Sequence, residues 1–373
     1  MSAAILLAAA CFWHAPDNLP LPETKTVYLR GDFELHPGER LRLDGAFPHA
    51  RQFGVNVHAR PSNATLASVM DTELAAQPGH GNPFRPGARR DGRDRRWALE
   101  IAPAEPVGLR EGILGLGMSP EAPFQGRLLL RIYLPDAAYP GGGVAMPTVR
   151  KRSARGEWEQ LGGECPSTSD LPRRQLPGPT RLPEAPGDVS DPIDWRGSAT
   201  PAGTTQADLL VNRDNAYAYA MIDLSRGDVL LLEGRAPRSP RTRDGARTMG
   251  RGDVRYWSIC AYVHPSNRTA ACLADEDVPI DRRGMYRIVV APAERRPKNA
   301  QASCGMAFLP APGPSEGLLI LRHLAPAPDF RHTPLHVPEG KDASAALGAF
   351  EPVGRYRSIR DVEDLGCPAR GLR

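Results

Sequence analysis

The sequence predicts an all-β protein, two tandem jelly-roll-like β-sandwich domains related by internal duplication, with little helix. Three observations carry this. The first is a repeat. Residues 51–71 (RQFGVNVHARPSNATLASVMD) and 255–275 (RYWSICAYVHPSNRTAACLAD) align without a gap and agree at seven of 21 positions, where chance gives roughly one or two. The second is period. Phe53, Val55 and Val57 alternate with Gly54, Asn56 and His58, and Trp257, Ile259 and Ala261 keep the same parity, as in a strand with one face inward. The third is punctuation: 37 Gly and 39 Pro in 373 residues favour short strands joined by loops over long helices.

In chain order, residues 1–21 read as a signal-like or lipoprotein-like segment. The apolar stretch 3–13 has the length of a signal-peptide core and is too short to span a bilayer. Ala8, Ala9 and Ala10 supply small residues for a cleavage site, and Cys11 directly after them resembles a lipoprotein cysteine, although no positive charge precedes the apolar stretch. The expectation is an exported chain, either periplasmic, secreted or held at a membrane through a lipid anchor at Cys11. Residues 22–150 form the first sandwich. There Trp97, Leu99 and Ile101 alternate, and 128–134 is more continuously apolar, with Arg131 its one charged residue, as a central strand is. Residues 151–195 contain PSTSDLPRRQLPGPTRLPEAPGD and read as a linker, with Trp158 and Trp195 as aromatic anchors. Residues 196–373 form the second sandwich. Tyr286, Ile288 and Val290 alternate, 318–324 parallels 128–134, and a short helix is expected at 358–365, with Ser358 as N-cap, Asp361 three residues on and Gly366 past its end.

Six cysteines stand at 11, 165, 260, 272, 304 and 367, none in a CxxC pair, so zinc and thioredoxin-like spacings are absent. Cys260 and Cys272 flank the turn-like His264-Pro265-Ser266-Asn267. Strands reversing there set the two cysteines nearly opposite, which fits a disulfide in an exported protein; two buried thiols are the alternative. Removal or lipidation of Cys11 would leave an odd count.

The phrases GAFPHAR, NPFRPGARR, LRIYLPD with GGGVAMPTV, and later RYWSIC, ACLAD and LILRHL resemble an uncharacterised family of exported bacterial proteins with two tandem β domains. The likeness covers nearly all of the chain beyond about residue 20. It implies a duplicated β-sandwich and an exported location, and it implies no activity.

The charge balance excludes some functions. The 47 basic and 43 acidic residues leave a net +4, which permits an anionic partner and is no nucleic-acid signature. No two histidines lie two apart, as a cupin-type metal site would need, and there is no GxSxG, P-loop or GxGxxG motif. Hence no metal, no cofactor and no catalytic residue is expected from motif. Two arginine-rich stretches, 85–96 and 235–255, are diluted by Asp91, Asp94, Asp244 and Asp253 and lack the interleaved aromatics that stack single-stranded bases; they read as solvated loops.

The polar residues shared by the two copies are the site candidates: Arg51 with Asp71, Arg255 with Asp275, and Arg131 with Arg322, with Trp257 beside them. Arg51 and Arg255 fall on the inward parity, and a buried guanidinium needs a partner. One reading is an ion pair clamping each hairpin. The other is an arginine-lined pocket for an anionic small molecule. The function expected is therefore an exported binding or structural protein for an anionic small molecule or surface polymer. The alternative is a hydrolase or lyase acting on cell-wall, polyester or carbohydrate material at a cleft between the domains.

Overall fold

The stretches that alternate in the sequence are strands in the computed structural model, which describes residues 10–16, 19, 21–119, 121–168, 189–197, 210, 212–266, 268–311, 313 and 316–367. The chain divides into two units. The first holds Met1–Pro16, Thr26–Arg174 and Thr242–Met249, and the second holds Asp17–Lys25, Gln175–Arg241 and Gly250–Arg373.

Strands of the first unit are β1 (Thr26–Leu35), β2 (Arg40–Ala46), β3 (Ala50–Ala59), β4 (Thr65–Met70), β5 (Arg96–Ala102), β6 (Gly108–Arg110), β7 (Ile113–Gly115), β8 (Phe124–Pro135), β9 (Thr148–Arg152) and β10 (Trp158–Gln160). They form two open sheets, in the orders β1-β8-β3-β4 and β10-β9-β2-β5-β7-β6. One core joins the inner faces, with Phe53, Val55, Val57, Leu128, Leu130 and Ile132 from the first sheet and Leu41, Leu43, Trp97, Leu99 and Ile101 from the second. Burying each of these large side chains contributes about 1.5–3 kcal/mol, so the alternation seen in sequence is what holds the two layers together.

The second unit contains β11 (Arg196–Gly197), β12 (Asn215–Asp223), β13 (Val229–Arg235), β14 (Val254–Val263), β15 (Arg268–Ala274), β16 (Met285–Ala291), β17 (Ala307–Pro310), β18 (Glu316–Pro326) and β19 (Val353–Arg357). Its sheets run β11-β12-β18-β14-β15 and β17-β16-β13-β19. Details of pairing recur between the units. Phe53 pairs with Ile132 and Gly54 with Arg131, as Trp257 pairs with His323 and Ser258 with Arg322. The β3–β4 register breaks between Val57 and His58, and the β14–β15 register breaks between Ala261 and Tyr262. Leu134 and Ala325, near the ends of β8 and β18, both take left-handed backbone, with φ of 45° and 46°. In each unit a glycine faces an aromatic ring across the strand pair. A Cβ on Gly45 would fall 2.8 Å from Trp97 Cζ2, and one on Gly234 would fall 2.6 Å from Tyr286 Oη, so the missing side chain is the space the ring occupies.

Among the described residues α-helix is confined to two short pieces, α1 (Ser344–Leu347) and α2 (Ile359–Glu363). The capping signature expected at the second is present: Ser358 Oγ accepts from the Asp361 amide and Asp361 Oδ2 accepts from the Ser358 amide, each at 3.1 Å.

Several boundaries differ from expectation. The first sheet system runs past residue 150, because β9 and β10 continue the ladder begun by β2. Trp195, one of the two expected aromatic anchors, does hold its stretch of chain. It is fully buried in the second core, where its indole donates to Pro352 O at 2.6 Å. The described parts of the expected linker are thus sheet and core, and residues 169–188 lie outside the described residues, as do residues 1–9 at the start of the signal-like segment. A composition rich in Pro and charge masked two short strands because three to five residues give too little alternation to read.

The cysteines pair as Cys11–Cys165, Cys260–Cys272 and Cys304–Cys367, and none is free. Cys260 and Cys272 are direct cross-strand partners, with Cα atoms 4.0 Å apart. The lipid anchor expected at Cys11 is corrected by its bond to Cys165, since a sulfur in a disulfide cannot also carry a thioether. Three disulfides mark a protein that matures in an oxidising, extracytoplasmic environment. No helix among the described residues is long and apolar enough to cross a membrane. Non-reducing peptide mapping should recover these three pairs and no free thiol. Replacing Cys260 and Cys272 together by Ser should lower the unfolding free energy by about 3 kcal/mol, read by urea denaturation, through the loop they close.

Candidate functional site

The shared arginines hold matching strand positions in unlike surroundings. Arg51 lies in β3 on the inward side with Phe53 and is fully buried; its Nε donates to Thr242 Oγ1 at 2.9 Å. Asp71 follows β4, and its Oδ2 accepts from the Phe53 amide at 2.9 Å. Arg51 and Asp71 therefore occupy diagonal positions across the β3–β4 hairpin, within reach of long side chains. In the second unit Arg255 is half-buried and Asp275 is buried, its Oδ1 accepting from the Glu276 amide at 2.8 Å. Trp257 packs in the core against Tyr286, with ring centroids 5.4 Å apart.

Arg131 and Arg322 leave their strands on the opposite parity. Arg131 Nη1 donates to Asn56 Oδ1. Arg322 Nη1 donates to Cys260 Sγ at 2.9 Å, its Nη2 donates to Leu21 O at 2.9 Å and to Tyr262 Oη, and its guanidinium lies 5.6 Å and 5.7 Å from the rings of Tyr217 and Tyr262. Beside it Glu23 is buried and accepts from Tyr256 Oη. Burial pushes the Glu23 carboxyl above its ordinary range, against the pull of Arg322. A carboxylate oxygen of Glu23 and the sulfurs of Cys260 and Cys272 lie within 4.8 Å of one another, but those sulfurs are bonded together and offer no thiolate to a metal.

A second arginine cluster was invisible in the sequence. Arg90 and Asp136 are each 4% exposed, and Arg90 Nη2 holds both carboxylate oxygens at 2.6 and 2.8 Å. The same guanidinium donates to Ala246 O at 2.9 Å, Ala50 O at 3.1 Å and Thr242 O at 3.3 Å. Arg95 Nη2 donates to Pro48 O at 3.2 Å, and its Nη1 donates to Arg90 O at 3.2 Å and lies 2.7 Å from His49 Nε2. The His49 ring stacks on Tyr139 at 3.9 Å. Burial, then Arg95 and Arg90, hold His49 down to about 4, so it is a neutral acceptor at neutral pH. Arg90, Arg95 and the segment 242–249 were expected in solvated loops. Arg90 and Arg95 are instead buried fastenings of the first unit, because the carbonyls and Asp136 supply what water would otherwise supply, while in the segment 242–249 Thr242 and Met249 are buried and residues 244–248 are exposed.

Another arrangement lies on the outer face of the β10-β9-β2-β5 sheet. Outward residues of β2 and β9 bring Arg40, Arg42, Arg150 and Arg152 into two adjacent rows. Arg40 is held by Glu100 at 3.0 Å and Glu105 at 2.9 Å, while Arg42 and Arg150 share Asp44 at 2.9 and 2.6 Å. Arg42 and Arg150 outweigh the effect of burial and keep the Asp44 carboxyl below its ordinary range. Arg152 has no carboxylate at ion-pair distance among the described residues. Its guanidinium and that of Arg150 lie 5.9 Å and 5.6 Å from the ring of Trp158, which pairs with Arg152 from β10 and is 41% exposed. Sequence reading placed Arg152 and Trp158 in a linker. The missed signal is the pattern RKR(x)5WEQ at 150–160, a charged hairpin with an aromatic on its outward parity.

Two outcomes test the buried groups. His323, in β18, is 1% exposed with no partner for Nδ1 among the described residues, and burial holds it to about 3. An unfolded chain takes up that proton near pH 6.5 and the folded chain only near pH 3. The unfolding free energy should therefore fall as pH drops through that window, by about 1.4 kcal/mol per pH unit. His323→Ile, which copies Ile132 of the first unit, should remove about half of the slope measured by urea denaturation at about pH 7.5 and about pH 4.5, because His49 carries a similar share. Asp136→Ala should cost about 3–5 kcal/mol, because it strands the buried Arg90. Asp91→Ala should leave stability unchanged, since its partner Arg89 is in water.

No family model matches the chain, and no curated protein does. Among solved structures it is similar to an uncharacterised protein from Burkholderia cenocepacia, at 10% identity over 95% of this chain and 84% of that one, with a TM-score of 0.54. A protein from Vibrio parahaemolyticus aligns at 12% identity over 91% of this chain and 90% of that one, with a TM-score of 0.45. The first likeness shows a shared all-β fold and nothing of activity.

Proposed function

We propose that this chain is an exported binding protein for an anionic polymer, built from two duplicated sandwiches, and that the ligand lies on the outer face of the β10-β9-β2 sheet. Duplication is supported by the recurring register, the recurring bulge and the paired glycine–aromatic contacts. Binding is carried by one observation: four guanidiniums on this face meet three carboxylates, and the unmatched cation, Arg152, stands beside an exposed indole. Arginine forks grip carboxylate or phosphate through two parallel hydrogen bonds, which suits an extended polyanion. Catalysis is disfavoured on the same face. A general acid at neutral pH needs a raised carboxyl, and Asp44 is pushed the other way. The buried arginines bond to groups of the chain itself, so they serve the fold.

The test is calorimetric titration of the full chain with polygalacturonate and with dextran sulfate in low-salt buffer. At least one should bind, binding should weaken as salt rises, and the double variant Arg150→Gln/Arg152→Gln should bind about tenfold less tightly at unchanged melting temperature. Absence of binding to both polymers at low salt would overturn the reading.

A further inference from the structure

We infer that the ligand of this face is an acidic polysaccharide, one of whose sugar rings stacks on Trp158 while its carboxylate is gripped by Arg150 and Arg152. The inference rests on the binding reading above and narrows it to a chemical class.

Charge alone does not explain the geometry. Of the five tryptophans, Trp13, Trp97, Trp195 and Trp257 are buried, and Trp158 alone presents its ring to water. The two guanidiniums of β9 lie near the ring, at 5.6 and 5.9 Å, which steadies the indole by cation–π attraction. What this offers a ligand is a flat, electron-rich apolar surface bordered by planar donors. A polyphosphate or a sulfated chain satisfies the donors and leaves the ring bare. A pyranose presents an apolar face of C–H bonds to the ring and, when it is a uronic acid, a planar carboxylate at its edge for the forks.

The surroundings limit the grip to a short stretch of chain. Arg40 and Arg42 are already occupied by Glu100, Glu105 and Asp44. Arg150 keeps Asp44 as one partner, so Arg152 supplies the free fork and Arg150 the second point of charge. Around the hairpin, Arg155 is exposed with Glu157 and Glu159; Glu159 pairs with Lys151, on the parity opposite to Trp158. A single nucleobase could stack here too, but a single-stranded nucleic acid needs successive aromatic platforms, and this face has one. One or two sugar units at one site imply a modest affinity.

The emission of Trp158 gives a direct readout, because the other four indoles are shielded. Oligogalacturonate titrated into the full chain should quench and blue-shift the solvent-exposed part of the fluorescence. Its methyl ester, which keeps the ring and loses the charge, should not. By calorimetry Trp158→Ala should weaken oligogalacturonate binding about tenfold and remove the spectral change, Trp158→Phe should restore most of the affinity, and Arg152→Gln should weaken it about tenfold, all at unchanged melting temperature. If dextran sulfate or polyphosphate binds as tightly as the oligouronate and Trp158→Ala is silent, the polysaccharide assignment falls while the anionic face stands. Equal binding of the methyl ester removes the carboxylate grip. Tighter binding of poly-dT than of the oligouronate also overturns the assignment. If no polyanion binds, both readings fall together.

Discussion

The guanidinium of Arg90 fixes one end of the first sandwich. It carries five N–H donors into a place that water barely reaches, and each donor must find an oxygen or lose the free energy of its hydration. Asp136, Ala50, Thr242 and Ala246 supply them from three stretches of chain far apart in sequence. The start of β3, the exit from β8 and the segment 242–249 are thereby tied to one planar group, whose fork tolerates little displacement. Arg95 builds on the same point by bonding to the Arg90 carbonyl and to Pro48, which orients His49. With the segment held, Thr242 is placed to accept from Arg51, and Met249 is placed in the core. Removing the carboxylate would leave the rest of this set without its counter-charge, which is why such pairs are more damaging to break than to replace outright.

What the sequence disclosed was local or repeated. Alternation gave the long strands, because residues two apart share a face whatever lies across from them. The capping box at Ser358 depends on four consecutive residues, and the Cys260–Cys272 bond on a turn whose two sides are written in order. The other two disulfides span 154 and 63 residues and left no such trace. Arg90 and Arg95 are buried while Arg89 and Arg93 are exposed, within one run of similar composition. No periodicity distinguishes them, since their burial is decided by Asp136 and by carbonyls from distant strands. Trp158 was singled out only as an anchor of a linker, for the reverse reason. Its strand is only three residues long, and a Pro-rich neighbourhood gave the whole region the look of a linker.

The two sheets that contain β3 and β14 keep an arginine at the same register position and satisfy it differently. Arg131, opposite Gly54, reaches Asn56; Arg322, opposite Ser258, reaches Cys260, Tyr262 and the Leu21 carbonyl. The aligned positions 56 and 260 thus exchange an amide for a disulfide sulfur. The sulfur is a weak acceptor, so the second unit adds a tyrosine and a carbonyl from residues 19–25, while Thr269 and Lys25 pin that stretch through Pro22 and Asp277. The same charge at the same register position, with different partners, is met in each unit by the polar groups nearby.

The supply of partners also separates the interior arginines from those on the β9 face. Inside, the guanidiniums of Arg90, Arg95 and Arg322 are bonded to groups of the chain itself, oxygens for the most part, with His49 and the Cys260 sulfur beside them. On the outer sheet the carboxylates are shared: Asp44 serves two arginines and Arg40 takes two glutamates, which leaves Arg152 over. An exposed cation costs little in water, so folding does not select against the surplus. The neighbouring indole is different, because exposing a large apolar ring forgoes burial that the four other tryptophans obtain. A cation without a carboxylate beside a ring left 41% exposed is an arrangement that gains further free energy when a ligand with both an anionic and an apolar face arrives.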